Sequence, residues 1–217
     1  DQKQLISLGR GLVREDVAGV LMDEPLTVID PDLKFRLRRS LKEINEQYKT
    51  TLVYVTHDQN EAMTFADNII VMDQGEIVQV GLPKDLFEKP KTTFVGYFIG
   101  SPAMNLFKSE VSSKNTIKFN NLEIKTETDL SKLKNKAVKL GIRSEFIKIA
   151  NDQKENVIDV KVSRVEDFGN FKLITAKVGG FEIKSKVERE IPISSEKLSL
   201  FLPAEKCCIY SDEKLVQ

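Results

Sequence analysis

The sequence predicts an α/β region with mainly parallel strands, followed by an all-β barrel or sandwich. In the first half, short apolar runs alternate with helical patterns, as in a parallel sheet whose strands are joined by crossover helices. After Ser101-Pro102 the runs are short and β-rich, and turn signals separate them. The 217 residues suffice for one large or two small domains. We therefore expect domains at residues 1–103 and 104–217.

Composition excludes several classes of protein. Hydrophobic residues make up 41% of the chain and charged residues 30%, which is ordinary for a globular protein and argues against disorder. The 33 basic and 33 acidic side chains balance, so no bulk charge favours nucleic acid or an anionic membrane. The adjacent Cys207 and Cys208 indicate no disulfide framework and fit a reducing cytoplasmic setting. No apolar run approaches a membrane span, and no signal peptide is visible.

The first region is predicted to begin with a helix, a strand and a second helix. Apolar residues at helical spacing predict a helix over residues 4–14. The apolar run over residues 17–22 predicts a strand buried on both faces. Asp30-Pro31 supplies an N-cap carboxylate and a first-turn proline for a helix that runs to about Tyr48. Four apolar residues are expected on one face of this helix: Leu33, Leu37, Leu41 and Ile44.

A second strand and a third helix follow. The β-branched, apolar run over residues 51–55 predicts a central strand. Asp58 and Glu61 have the spacing of a capping box, which predicts a helix through Ala66. Three further elements are predicted after it, namely a hairpin over residues 68–80 with its turn at 73–75, and short helices over residues 83–88 and 92–100.

The second region is predicted to consist of short strands joined by turns. Gly179-Gly180 is a two-residue hairpin turn. Lysines on alternate positions of this region indicate a solvated face. The strands are expected over residues 105–111, 116–119, 122–125, 137–142, 157–165, 171–178, 181–187 and 198–201.

Two carboxylates and a histidine at the ends of the first two predicted strands form the candidate site. Asp23 and Glu24 follow the first strand and His57 follows the second, and ligands usually bind at this edge of a parallel sheet. An acidic turn after a strand is common and on its own indicates little. Here, however, the apolar strand determines where the carboxylates emerge. Asp23 can then hold Mg²⁺ through its water shell, and Glu24 can polarise an attacking water.

His57 is the only histidine of the chain. A lone histidine is more often a structural group than a catalytic one. At the end of the neighbouring strand, its imidazole can donate a hydrogen bond to a terminal phosphate oxygen and contact the water held by Glu24. Metal ligation is the weaker alternative, because no second histidine or suitably spaced cysteine accompanies it.

Three segments, in this order and spacing, resemble the motifs of an ABC-transporter ATPase. Residues 20–25 (VLMDEP) look like its Walker B strand and catalytic glutamate, with residues 26–30 in the place of its D-loop. Residues 54–63 (YVTHDQNEAM) resemble its H-loop, or switch region. Residues 2–13 resemble the helix that follows the LSGGQ signature. The agreement of all three is far more specific than any one motif.

Further segments resemble the maltose-importer type of this ATPase. These are residues 81–83 (GLP), 100–105 (GSPAMN) and 140–145 (LGIRSE), the last with serine where proline is usual. In that subgroup a β-rich regulatory domain, the TOBE or OB-like domain, follows the ATPase domain. The resemblance therefore implies a partial P-loop NTPase domain over residues 1–103 and an OB-like domain over residues 104–217.

The resemblance also implies roles for single residues. Asp23 would support Mg²⁺, Glu24 would be the general base, and His57 would sense the γ-phosphate. Asp30 would be the D-loop aspartate that communicates across the nucleotide-sandwich dimer. Gln2 would be the last signature residue, which contacts the nucleotide bound to the opposite subunit. The intact parent would use ATP and Mg²⁺, pair with a second ATPase subunit and with membrane permease subunits, and lie on the inner face of the cell membrane.

The sequence also departs from that family. It contains no Gly-x-x-x-x-Gly-Lys-Ser/Thr loop to grip phosphate, and no A-loop or Q-loop. Asp1 takes the place of a signature glycine beside the phosphates, where a carboxylate repels the nucleotide. Val28-Ile29 replace the more usual asparagine and leucine of the D-loop. Because residue 1 is not methionine and lies near the start of a predicted helix, we expect a C-terminal fragment that neither binds ATP tightly nor hydrolyses it.

The sequence leaves the function open at two points. The parent would import a small solute, with sugar or glycerol phosphate preferred on the strength of residues 100–105, although polyamine and ferric-ion importers have a similar layout. Alternatively, the chain is a stand-alone regulatory module whose β domain binds a partner or ligand. Oligonucleotide binding by the β domain is disfavoured by the neutral net charge and by the few aromatic residues at positions expected to be exposed.

Overall fold

The computed structural model describes residues 2–13, 17–27, 29–134, 136–193 and 196–216, although not the side chains of Gln2, Gln4 and Leu5. The chain packs as two compact units, Asp1–Ile69 and Ile70–Gln217. In the described ranges, no helix has both the length and the apolar character needed to cross a membrane. The elements of the first unit are, in chain order, α1 (Gln2–Leu12), β1 (Gly19–Asp23), α2 (Pro31–Tyr48), β2 (Thr51–Val55) and α3 (Gln59–Phe65).

The strands β1 and β2 are parallel neighbours, as the sequence predicted. Gly19 lies opposite Thr51 and Asp23 lies opposite Val55. Both strands therefore end at the same edge, because parallel strands run in one direction. The loops that carry the candidate residues emerge from this edge.

The predicted burial of β1 on both faces is wrong. Met22 is buried, but Leu21 is 73% exposed, and Val53 of β2 is 49% exposed. Among the described residues, β1 and β2 form a sheet of two strands. Since successive side chains of a strand point to opposite faces, covering one face of such a sheet leaves the alternate residues in solvent.

The helix α2 begins and ends where its sequence signals predicted. Asp30 is its N-cap and accepts a hydrogen bond from the backbone N–H of Asp32, and Pro31 is its first residue. Lys49 ends it in the left-handed conformation and donates its N–H to the carbonyl of Asn45. The expected apolar face is confirmed, with Leu41 buried and Leu33, Leu37 and Ile44 half-buried.

The second unit begins with a hairpin and two short helices, all predicted from the sequence. The hairpin consists of β3 (Ile69–Asp73), which starts at the last residue of the first unit, and β4 (Glu76–Gly81). Gln74 and Gly75 form its turn with positive φ angles of 48° and 84°. The helices are α4 (Pro83–Glu88) and α5 (Thr93–Phe98), and the Thr92 hydroxyl caps the latter.

The rest of the second unit consists of two antiparallel sheets around one apolar core. One sheet has the order β15-β14-β8-β5-β6-β7 and the other β12-β11-β10-β13-β9. Phe107 and Leu140 of the first sheet share that core with Ile174 and Ile183 of the second. The strands are β5 (Asn105–Ser113), β6 (Thr116–Phe119), β7 (Leu122–Lys125), β8 (Ala137–Ile142), β9 (Lys148–Ile149), β10 (Val157–Asp167), β11 (Phe171–Val178), β12 (Phe181–Glu188), β13 (Lys197–Phe201), β14 (Cys208–Ser211) and β15 (Lys214–Leu215).

Every strand predicted for this region is present. The turn at Gly179-Gly180 has positive φ at both glycines and joins β11 to β12. The strands β9, β14 and β15 were not predicted, and two of them, β9 and β15, have only two residues each. Cys207 and Cys208 are buried and unbridged, consistent with the expected absence of a disulfide between them.

Arg143, just after β8, ties the first of these sheets to α4 and α5. Its side chain is fully buried. Its Nε donates to the carbonyl of Phe87 at 2.9 Å, and its Nη1 donates to the carbonyls of Gly96, at 2.8 Å, and Ile99. The guanidinium also lies 4.6 Å from the centre of the Phe87 ring. A Cβ at Gly100 would lie 2.7 Å from Nη1, so this glycine leaves room for the arginine.

Candidate functional site

The candidate site lies at the edge where β1 and β2 end. Glu24 is the first residue after β1, and its backbone N–H donates to the carbonyl of Val55, the last residue of β2, at 2.8 Å. Glu24 has a positive φ of 43°, which is uncommon for a residue with a side chain. Backbone conformations of this kind cluster at functional sites. The chain turns sharply here, and the buried side chains of Leu26 and Ile29 anchor the following residues.

Glu24 and His57 are brought into direct contact, as the sequence predicted for neighbouring strand ends. The Nδ1 atom of His57 lies 2.6 Å from Oε1 of Glu24. The hydroxyl of Thr27 donates to the other carboxylate oxygen at 3.0 Å. The side chains of His57 and Glu24 are 69% and 41% exposed, so both remain accessible to a ligand. Since the carboxylate accepts this bond, Nδ1 carries the proton.

The contact shifts both ionisation equilibria in opposite directions. The hydrogen bond to His57 is the main cause that lowers the pKa of Glu24, and the Thr27 hydroxyl adds to it. The same hydrogen bond, followed by the charge of Glu24, raises the pKa of His57. At near-neutral pH the carboxylate is therefore ionised. The arrangement keeps a base and a hydrogen-bond donor side by side at the strand edge.

Glu61 takes a position that the sequence did not predict. Asp58 caps α3 as expected, accepting from the N–H groups of Asn60 and Glu61. The capping box is nevertheless incomplete, because the N–H of Asp58 donates to the Thr56 hydroxyl at 3.0 Å. The Glu61 side chain turns inward instead and is buried, with Oε2 accepting from Tyr54 at 2.9 Å and from Thr56 at 3.0 Å. The hydroxyl residues Tyr54 and Thr56, at alternate positions of the chain, were the signal in the sequence that could have indicated this buried acceptor.

Asp23 lies at the end of β1 and is exposed. It borders a small cavity of about 260 Å³, whose walls come from α1, β1 and Pro25. Among the described residues, no group of three or more His, Cys, Asp or Glu side chains is placed to hold a metal. One exposed carboxylate fits Mg²⁺ that keeps most of its water shell, since this ion is often bound through one or two carboxylates and substrate phosphates.

The remaining predicted site residues are less informative. The Asp30 carboxylate accepts from the N–H of Asp32 at 3.0 Å, so the structure places it in a helix cap. The predictions for the side chain of Gln2, and those for Asp1 and Val28, fall outside the described residues. The D-loop role of Asp30 and the signature role of Gln2 stay predictions.

Comparison with known proteins gives similarities along the whole chain. The family model of the MalK OB fold domain matches residues 100–147. The chain is 35% identical to the sn-glycerol-3-phosphate import ATP-binding protein UgpC of Pectobacterium atrosepticum, over 98% of this chain and 60% of that protein. It is 34% identical to the oligosaccharides import ATP-binding protein MsmX of Bacillus subtilis, over 100% and 62%.

A third relative agrees with these two. The putative uncharacterized ABC transporter ATP-binding protein YcjV of Escherichia coli K12 is 40% identical, over 84% of this chain and 51% of that protein. The chain thus spans between about half and three fifths of the length of these curated relatives. The matches to UgpC and MsmX include the candidate site as well as the β-rich region.

Proposed function

The chain belongs to the family of ABC-importer ATP-binding subunits, and we propose that it is the C-terminal part of such a subunit. Its parent would couple ATP hydrolysis to the uptake of a small solute, a sugar or glycerol phosphate. The names of UgpC and MsmX support this range of solutes. The observation that carries the proposal is the contact of 2.6 Å between Glu24 and His57 at the ends of two parallel strands.

In the proposed reaction, Glu24 accepts a proton from the attacking water. The contact with His57 lowers the pKa of Glu24 and so weakens it as a base. When His57 instead donates its hydrogen bond to the terminal phosphate of ATP, Glu24 loses its strongest pKa-lowering contact. Its basicity then rises at the moment the nucleotide is in place. In this way His57 couples the binding of the terminal phosphate to the basicity of Glu24.

Asp23 would hold Mg²⁺ through water beside this pair. Mg²⁺ held there would neutralise charge that accumulates on the phosphate oxygens. Asp23 is suited to this place because it precedes Glu24 directly and because β1 determines where it emerges. The phosphate-gripping loop that completes such a site is not in this sequence.

The proposal includes partners for the intact subunit. Gln2 and Asp30 would act across a dimer with a second ATPase subunit, Gln2 toward its nucleotide and Asp30 as the D-loop aspartate. Permease subunits would hold this dimer at the cytoplasmic face of the membrane. The family membership supports these partners.

The test is ATP hydrolysis by the whole reading frame that contains this chain. We expect the frame to encode an upstream Gly-x-x-x-x-Gly-Lys-Ser/Thr loop and the product to hydrolyse ATP. Glu24→Gln and His57→Ala are each expected to lower kcat by at least about 100-fold, the usual contribution of a general acid–base group. Glu43→Gln is the matched control, since Glu43 is an exposed residue of α2 paired with Arg39. Full activity of Glu24→Gln would contradict the assignment of Glu24 as the general base.

A second candidate function is a regulatory module without ATPase activity. It is favoured by the separate packing of Ile70–Gln217 and by its own apolar core. The β-rich region would then bind a partner or a small ligand. A natural start codon near residue 1, with no phosphate-binding loop encoded upstream, would favour this function over the first.

A further inference from the structure

Glu61 is a buried carboxylate that the proposed reaction does not use. It lies in the first turn of α3 with 3% of its surface exposed. A charge in such a place is costly to bury unless its neighbours compensate it. One oxygen, Oε2, accepts from the hydroxyls of Tyr54 and Thr56. Burial and the bond to Glu61 raise the pKa of Tyr54, so this residue stays a donor.

The other oxygen of Glu61 faces two cations of α2. Lys34 Nζ lies 3.6 Å and Arg38 Nη1 lies 4.0 Å from Oε1. All five residues of this cluster lie in the first unit. A single carboxylate therefore connects α2, the end of β2 and α3. These elements flank the strand edge that carries Glu24 and His57.

The connection reaches His57 through both of its chain neighbours. The Thr56 hydroxyl donates to Glu61 and accepts from the N–H of Asp58. Asp58 in turn caps the helix that contains Glu61. His57 stands between these two held residues, and its own side chain is mostly exposed. Its orientation toward Glu24 therefore depends on how firmly the backbone on either side is held.

We propose that Glu61 is a positioning residue that, through Thr56, holds His57 against Glu24. The inference deepens the proposed function, because it concerns the same pair, but its test needs no ATP hydrolysis. His57 is the only histidine of the chain, so its imidazole signals are assigned without ambiguity. The strength of its contact with Glu24 is visible in its pKa.

The experiment is an NMR titration of His57 in the 217-residue chain. Glu24→Gln defines the pKa of His57 without its partner. We expect Glu61→Gln and Thr56→Val each to remove at least half of the pKa difference between the native chain and Glu24→Gln. Thr56→Val matters because it leaves the charge of Glu61 in place. Glu43→Gln removes one exposed negative charge of α2 and is expected to leave the pKa of His57 unchanged.

Two results would overturn the proposal. If Glu61→Gln lowers the pKa of His57 while Thr56→Val leaves it at the native value, Glu61 acts only as a distant charge. If neither variant changes it, Glu61 is only a structural residue. Circular dichroism identifies a variant that fails to fold, and Thr56→Val then decides the question alone. Loss of ATPase in the whole protein tests the proposed function separately.

Discussion

At the scale of single residues, Glu24 and His57 form a direct contact of 2.6 Å at the ends of two parallel strands. Its consequences for pH follow from the two pKa shifts. A carboxylate with a lowered pKa adds stability above its ordinary value of 4.5, and this is lost as the pH falls through the folded value. A histidine with a raised pKa adds stability below 6.5, and this is lost as the pH rises through the folded value. Both contributions are therefore fully present between pH 4.5 and pH 6.5, the ordinary pKa values of the two groups.

We predict that His57 titrates above its ordinary pKa of 6.5 in the native chain. In Glu24→Gln its pKa should return toward 6.5, because the hydrogen bond and the charge of Glu24 are its two largest causes. Thr27→Val is expected to leave the pKa of His57 close to its native value, since the Thr27 hydroxyl bonds the other carboxylate oxygen of Glu24 and lowers the pKa of that carboxyl instead. The measurement is the chemical shift of the His57 ring protons against pH. An unchanged pKa in Glu24→Gln would show that the contact does not form in solution.

Residue patterns predicted this site only in part. Glu24, Asp23 and His57 were recognisable because each follows an apolar run at a strand end. Glu61 was assigned to a capping box, because its spacing from Asp58 fits that motif. The structure gives Thr56 the task of bonding the Asp58 N–H, which leaves Glu61 free to turn inward. Spacing along the chain cannot distinguish Thr56 from Glu61 as the acceptor, since both side chains lie within reach of the Asp58 N–H.

At the scale of secondary-structure elements, strand existence was predictable and strand burial was not. The period of apolar residues predicted β1 and β2, and it predicted most strands of the second unit. Burial depends on what packs over each face of the sheet, and the period of apolar residues carries no information about that. Leu21 is the clearest case, since it sits inside an apolar run and is 73% exposed. The expected boundary between residues 103 and 104 stays a prediction, whereas packing divides the chain at Ile69 and Ile70.

Arg143 explains part of why α4 and α5 pack with the β-rich region. It bonds three backbone carbonyls of the segment from Phe87 to Ile99. Burial lowers the pKa of its guanidinium, yet no ordinary pH removes that charge. Residues 140–145 resemble a recurring segment of the OB-like domain. In the structure, Arg143 of that segment anchors the helices α4 and α5.

We predict that Arg143→Met destabilises the second unit by at least about 3 kcal/mol, because three buried carbonyls lose a charged donor. Arg189→Met is the matched control. Arg189 pairs with Asp167 at 3.2 Å and is 53% exposed, so its loss is expected to cost no more than about 1 kcal/mol. Hydrogen exchange of the amides of α5 and β8 measures both effects and separates this unit from the first. Equal protection in the two variants would contradict the anchoring role.

At the scale of the whole molecule, the chain combines the strand edge that carries Asp23, Glu24 and His57 with a β-rich region that has its own core. Nucleotide affinity in P-loop proteins comes largely from backbone N–H groups and a lysine that surround the phosphates. The sequence has no such loop, and what it contributes to the site is mostly acidic. In the proposed site, Asp23 and Glu24 would repel the phosphates unless Mg²⁺ lay between them. The imidazole of His57 is the proposed donor to the phosphate, and it is engaged with Glu24.

We therefore predict that the 217-residue chain binds Mg-ATP more weakly than micromolar and does not hydrolyse it. Isothermal titration of the chain with Mg-ATP measures this directly. The product of the whole reading frame is the positive control, and under the same conditions it should bind and turn over the nucleotide. Mg-ATP should also leave the ring signals of His57 in the short chain unchanged, because no loop brings the γ-phosphate to it. Submicromolar binding by the short chain would mean that its own residues grip the phosphates, and the division of the site proposed for this family member would be wrong.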